Sequence, residues 1–269
     1  MKCFCSRIIF LILLITCLQC ETVVDYKDSE TEPITVISSD TTFTIGNISY
    51  TGHLAQPDQA GNYPIVLVLH GSEGFKDHHK AYADSIAEQG YIAFAWCWFG
   101  CDSRTSMADV GTRDFNYVLH YLKELPDADP DKCGIIGFSA GAAMSLYLGT
   151  AINNLSVIVE YYGINRIPSG ATKLVSENNG TVNVNLSKLA PPLLIVQGTA
   201  DRITTMNEVL GMVEQLDNMD KIYDTLYCSG ATHSFNWPDA SGERGNIYDE
   251  NAADKALNET ITFLSKYLK

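Results

Sequence analysis

The 269-residue chain is 46% hydrophobic and 19% charged, which supplies the core of one large α/β domain rather than two small ones. Its formal net charge is −14, and loss of residues 1–20 with Lys2 and Arg7 would deepen it. A surface that acidic repels phosphate backbones and anionic lipid, which argues against nucleic-acid binding.

Lys2 and Arg7 precede an apolar run, Ile8–Leu18, of signal-peptide length and short of the ~20 residues a spanning helix needs. Residues 1–20 therefore read as a signal peptide, and the mature chain as secreted or extracytoplasmic without stable membrane insertion. The alternative is an uncleaved anchor. Leu18-Gln19-Cys20 lacks the usual small residues of a cleavage site, and the residues before Cys20 match a lipoprotein anchor poorly. Cys3, Cys5, Cys17 and Cys20 fall in this leader, leaving Cys97, Cys101, Cys133 and Cys228. An exported chain permits disulfides among them, with three full pairings open. Cys97 and Cys101 are close enough to bond if the chain turns between them, and Cys133 and Cys228 read equally well as buried free thiols. No CxxC pair is present, against a structural zinc site. Asn-x-Ser/Thr triplets at Asn47, Asn154, Asn179, Asn185 and Asn258 behind such a leader suggest a glycoprotein.

Residues 21–40 are polar and without period and read as a disordered or loosely attached lead-in to a domain over 41–269. Thr42–Ile48 and Ile48–Leu54 are predicted to pair around Gly46-Asn47. Ile65–His70 is a continuous apolar run, as in a strand buried on both faces of a parallel sheet. A helix over Lys80–Gln89 ends at Gly90, a strand follows over Tyr91–Trp98, and Met107–Leu125 has helical periodicity up to Pro126. Cys133–Phe138 is a strand and Ala140–Ala151 a small-residue helix. Further strands are expected at Val157–Tyr162, Leu193–Gly198 and Tyr223–Tyr227, with helices at Met206–Leu216 and Asn251–Leu268. The alternation predicts a mainly parallel, doubly wound α/β sheet with helices on both faces. Ile164–Ala190, rich in Gly, Asn, Ser and Thr, breaks the rhythm and reads as an exposed insertion near the sheet's C-terminal edge.

Gly137-Phe138-Ser139-Ala140-Gly141 lies between a predicted strand and a predicted helix, the context that gives G-x-S-x-G its meaning. The turn must be tight, so Gly137 and Gly141 keep side chains out of the helix–strand contact and Ser139 Oγ projects above the sheet. A serine hydroxyl needs a base. With the order serine, acid, histidine, only His233 follows Ser139 among His53, His70, His78, His79, His120 and His233. The acid should follow a strand between them. Glu160, Glu177, Glu208, Glu214, Asp217, Asp220 and Asp224 compete by position, but Asp201 alone sits on a loop just beyond a buried strand. An oxyanion hole completes the set: the backbone N–H of Ala140 and that of Ser72 in His70-Gly71-Ser72-Glu73-Gly74, with Glu73 the alternative to Ser72. His70 reads as a structural residue of that loop.

In order and spacing these segments resemble the dienelactone hydrolase family of α/β-hydrolases over Tyr63 to Lys269. The similarity rests on the H-G-x-x-G loop at His70, Gly90–Trp98, Gly137–Ala142, Tyr161-Tyr162-Gly163, Pro191 through Asp201, and His233-Ser234-Phe235. The resemblance implies the α/β-hydrolase fold. The family's type member has a cysteine where this chain has Ser139 and a glutamate where it has Gly71, so an ordinary Ser-His-Asp mechanism is expected here. Its arginine after the catalytic histidine, which holds a substrate carboxylate, falls on Trp237. That substitution implies a neutral or aromatic ester rather than a dienelactone acid.

The expected activity is hydrolysis of a small-molecule carboxylic ester or lactone through an acyl-enzyme, with no metal or organic cofactor. A peptidase or acyltransferase would share the machinery, and a non-catalytic binding protein on this fold would predict a lost triad member.

Overall fold

The computed structural model describes residues 33–102, 104–167, 182–240, 242 and 245–269. The expected signal peptide and Asn179 lie outside them. The first described elements are β1 (Val36–Ile45) and β2 (Ile48–Pro57), paired antiparallel from Val36↔Pro57 to Ile45↔Ile48. Gly46, at φ 62°, supplies the left-handed conformation of the two-residue turn. Then follow β3 (Tyr63–Leu69), α1 (Asp77–Ala87), β4 (Ile92–Trp96), α2 (Thr112–Lys123), β5 (Ala128–Phe138), α3 (Ala140–Ala151) and β6 (Val157–Tyr161). A short antiparallel pair of β7 (Arg166–Ile167) and β8 (Val182–Asn183) precedes β9 (Leu193–Gly198), α4 (Met206–Asn218), β10 (Tyr223–Cys228) and α5 (Glu250–Leu268).

The main sheet has eight strands in the order β1-β2-β4-β3-β5-β6-β9-β10. Pairs involving β2 are antiparallel and the rest are parallel. This is the doubly wound α/β architecture expected. Alternation along β3 shows why its run is unbroken. Val66 and Val68 face α1 and α5, through Tyr82, Ala83, Ile86, Phe263 and Leu264, whereas Ile65, Leu67 and Leu69 face α2, through Phe115, Val118 and Leu122. All five are fully buried, at about 1.5–3 kcal/mol each as an upper bound. Among the described residues no helix is long and apolar enough to cross a membrane.

Three expectations change. The lead-in assigned to 21–40 ends earlier, because Val36–Asp40 pair with His53–Pro57 in β1. Residues 37–40 of this edge strand are exposed on both faces and carry no burial pattern, so their sequence resembles loose chain. Met107–Leu125 is not one helix: a short 3-10 turn over Met107–Asp109 is separated from α2 by the extended Val110 and by Gly111. The Ile164–Ala190 segment is anchored at its described ends, where Ile167, Val184, Leu186 and Leu189 are buried against α3 and α4. Among the described residues, Cys97 and Cys101 form a disulfide, while Cys133 and Cys228 are buried free thiols.

Candidate active site

At the junction of β5 and α3 the chain turns at Ser139 with φ 52° and ψ −110°. That conformation costs about 1–3 kcal/mol for a non-glycine residue and persists only where the surroundings enforce it. Here Ser139 N–H donates to Tyr161 O at 2.9 Å, and Ser139 O accepts from Ala142 and Ala143. Both flanking glycines are required. A Cβ on Gly137 would overlap the backbone of Gly141, and one on Gly141 would overlap the carbonyls of Leu69 and His70.

The other two loops converge because β9 and β10 end side by side. Gly198 lies so close to the Ala231 carbonyl that a Cβ would overlap it. Ala200 N–H donates to that carbonyl at 2.9 Å, and Gly230 N–H donates to Thr199 Oγ1 at 2.8 Å. Asp201 then points its Oδ1 at the N–H groups of Ile203 and Thr204, at 2.7 and 3.0 Å. Its Oδ2 faces His233 Nδ1 at 2.7 Å, and His233 Nε2 faces Ser139 Oγ at 3.0 Å. The Asp201 contact assigns the proton to Nδ1, leaving the Nε2 lone pair for the serine hydroxyl.

Sequence reasoning thus named three residues that are in contact, although Ser139 and His233 lie 94 positions apart. Four of the competing carboxylates are engaged elsewhere, and Glu214 and Asp220 are exposed on or beside α4. Glu160 is buried in β6 and accepts from Gly163 N–H, Glu208 pairs with Arg166, Asp217 accepts from Tyr223, and Asp224 pairs with Lys266. Glu177 lies outside the described residues.

Ser139 and His233 line a cleft of about 580 Å³, together with Ser72, Glu73, His78 and Trp237. In the loop after β3, Gly71 N–H is taken by Glu73 Oε1 at 3.1 Å and Gly74 N–H by Gly71 O at 3.2 Å. No described residue accepts from Ser72 N–H. Ala140 opens α3, so no preceding turn accepts from its N–H either. His70 is buried, and burial pushes its pKa down to about 4, so the ring is neutral. Its Nδ1–H donates to Gly71 O at 2.8 Å and its carbonyl accepts from Trp98 Nε1–H at 3.0 Å. These contacts fix the loop, a structural role.

Two features escaped the sequence reading. Gly71 replaces the family glutamate, yet a Cβ at Gly71 would overlap Glu73 Oε2, so a carboxylate occupies that space from two residues downstream. Burial pushes the Glu73 carboxyl up, but the His79 ring, 3.3 Å away, together with backbone hydrogen bonding and the nearby His70 ring, holds the pKa below the usual range. The second feature is His78, whose Nδ1 faces Asp239 at 2.6 Å while its ring stacks on Trp237. Neither role is written in a motif, because Glu73 acts by folding its side chain back within the H-G-x-x-G loop and His78 through a long-range contact.

Glu73, His78 and His79 bring potential ligand atoms within 4.8 Å of one another. They do not fit a metal ion well. His79 Nδ1 accepts Lys76 N–H at 3.1 Å, which places the ring proton on Nε2, the atom that faces Glu73. His79 could ligate through Nε2 only by giving up that bond at the start of α1.

The sequence profile described as "Dienelactone hydrolase family" matches residues 50–97 and 96–268. "Protein usf" of Aquifex pyrophilus is 25% identical over 249 residues, covering 84% of this chain and 97% of that protein. A "Putative carboxymethylenebutenolidase" of Aquifex aeolicus (strain VF5) is 22% identical, covering 84% and 97%. In structure, the chain is similar to a dienelactone hydrolase-like promiscuous phosphotriesterase from metagenomic libraries. The TM-score is 0.69 at 21% identity, covering 87% of this chain and 99% of that one. The chain belongs to the dienelactone hydrolase family and is a hydrolase of the α/β fold.

Proposed function

We propose that the chain is a serine hydrolase that cleaves carboxylic ester or lactone bonds. The observation that carries this reading is the unbroken chain Asp201–His233–Ser139, at 2.7 and 3.0 Å, opening on a cleft. Ser139 Oγ attacks the acyl carbon as its proton passes to His233 Nε2. The oxyanion forms against the N–H groups of Ser72 and Ala140, where the N-terminus of α3 favours negative charge. Collapse breaks the carbon–oxygen bond, and His233 returns the proton to the leaving alkoxide, leaving an acyl-Ser139 ester. Water then attacks that ester with His233 as base, releasing the acid and restoring the serine. Asp201 keeps the imidazole in the required tautomer and stabilises the imidazolium. Trp237, an uncharged indole, favours a neutral or aromatic ester over an anionic one.

The leader over residues 1–20 supports secretion, and with it N-glycosylation. Asn154, Asn185 and Asn258 are exposed, and Asn47 lies in the β1–β2 turn. A mass unchanged by a glycan-removing amidase, in protein from its native source, would overturn the glycoprotein reading.

The test of the activity is a panel of aryl and alkyl esters, lactones and peptides, with wild type and Ser139→Ala. Ester or lactone hydrolysis that falls at least about 10³-fold in the variant is expected. Turnover of peptides alone, or activity independent of Ser139, would contradict the reading.

A further inference from the structure

Beside the catalytic cleft lies a second depression of about 580 Å³, on the flank of α1. His78, Trp237 and Asp239 line both, so the two adjoin across one shared wall. That wall is built. His78 Nδ1 faces Asp239 at 2.6 Å, joining the start of α1 to the segment after His233. The Trp237 ring stacks on His78 at 4.2 Å and 16°, and meets Tyr82 nearly edge-on at 5.8 Å and 83°. Tyr82 and Trp237 are each more than nine-tenths buried and give the depression an aromatic floor. Its outer edge is formed by Ala81 and Ser85, one turn apart on α1. Asp77 and Asp239 are acidic, and no Lys or Arg among the described residues lines it.

We infer that this depression is a second substrate subsite, which receives a neutral apolar arm of the ester whose acyl carbon lies at Ser139. The inference rests on the proposed hydrolase reading. An aromatic floor favours hydrocarbon, a substrate laid across the shared wall would occupy both depressions, and the two carboxylates disfavour an anionic end. Each methylene transferred from water onto such a floor raises kcat/KM up to about fourfold.

The experiment compares 4-nitrophenyl acetate, 4-nitrophenyl octanoate and the mono-4-nitrophenyl ester of octanedioic acid. The enzymes are wild type, Ala81→Trp and Ser85→Trp, two independent ways of filling the depression from an outer edge of α1. Melting temperature reports folding, and either variant suffices if the other fails to fold. Wild type is expected to prefer octanoate to acetate at least tenfold in kcat/KM, and octanoate to the octanedioate ester at least fivefold. A tryptophan at either position is expected to lower the octanoate-to-acetate ratio at least fivefold. A ratio that neither tryptophan moves, or equal use of the anionic chain, overturns the subsite while leaving the hydrolase reading intact. Failure of wild type to cleave any of the three, together with absent Ser139-dependent labelling by a fluorophosphonate, overturns the hydrolase reading and the subsite with it.

Discussion

The indole N–H of Trp98 donates to the carbonyl of His70 at 3.0 Å, tying the chain beyond β4 to the loop that carries Ser72. Trp98 is fully buried, with Phe99 and Phe115 against it. A loop whose backbone must hold an N–H towards an oxyanion gains from such a tie, because the geometry is set before the reaction.

Trp98→Phe removes that bond at a cost of about 1 kcal/mol. If the loss falls on the transition state, kcat drops about fivefold. Phe115→Leu disturbs the packing of Trp98 but leaves its N–H in place. Steady-state kinetics beside thermal melts should show both variants destabilised and only Trp98→Phe slowed. Equal slowing of the two would assign Trp98 to packing alone.

Asp201→Asn preserves the shape of the loop but offers His233 an amide in place of a carboxylate acceptor. With the wrong imidazole tautomer favoured, kcat is expected to fall about 10⁴-fold. Circular dichroism should be unchanged. A loss below tenfold would point to another acid.

These residues were legible in sequence for different reasons. Ser139 stood out because Gly137 and Gly141 are demanded by backbone contact, and His233 because no other histidine follows the serine. Asp201 emerged from its place after a buried strand. Ser72 was legible only as a position on a loop, and the free state of its N–H follows from what Glu73 and Gly71 already engage. Glu73 and the His78–Asp239 pair were not legible. Glu73 reaches back over Gly71, and His78 meets a residue 161 positions away. In the fold, strands buried on both faces announced themselves as apolar runs. The first five residues of β1 did not, since residues 37–40 are exposed and Asp40 meets its partners His53 and Lys80 only through long-range contacts.

Glu160 has no exposure, and burial pushes its pKa up to about 8, against one hydrogen bond from Gly163 that lowers it. The folded state therefore keeps a proton that the unfolded chain releases near its ordinary value of 4.5. That contribution is fully present below pH 4.5 and is lost as pH rises towards 8, by about 1.4 kcal/mol per pH unit at most. Glu160→Gln cannot titrate. Denaturant melts across this range should show wild type losing stability relative to the variant as pH rises; parallel curves would contradict the buried neutral acid.

The Cys97–Cys101 disulfide closes a loop next to the Trp98–His70 tie, and Phe99 within that loop lies 4.6 Å from the His70 ring. Because so few residues are enclosed, loop-closure entropy predicts only about 2 kcal/mol of lost stability on its removal. Cys97→Ala/Cys101→Ser should therefore remain folded, with a lower denaturation midpoint and a reduced kcat. Full activity in the double variant would show that the oxyanion loop does not depend on the bridge.

The central claim is that Ser139 is the nucleophile. Labelling of the folded protein with a fluorophosphonate, followed by peptide mass spectrometry, tests it most directly. The account predicts one phosphonyl group on Ser139, strong suppression in His233→Ala and none on this peptide in Ser139→Ala. A label on another residue, or wild-type protein that hydrolyses esters and takes no label, would contradict it.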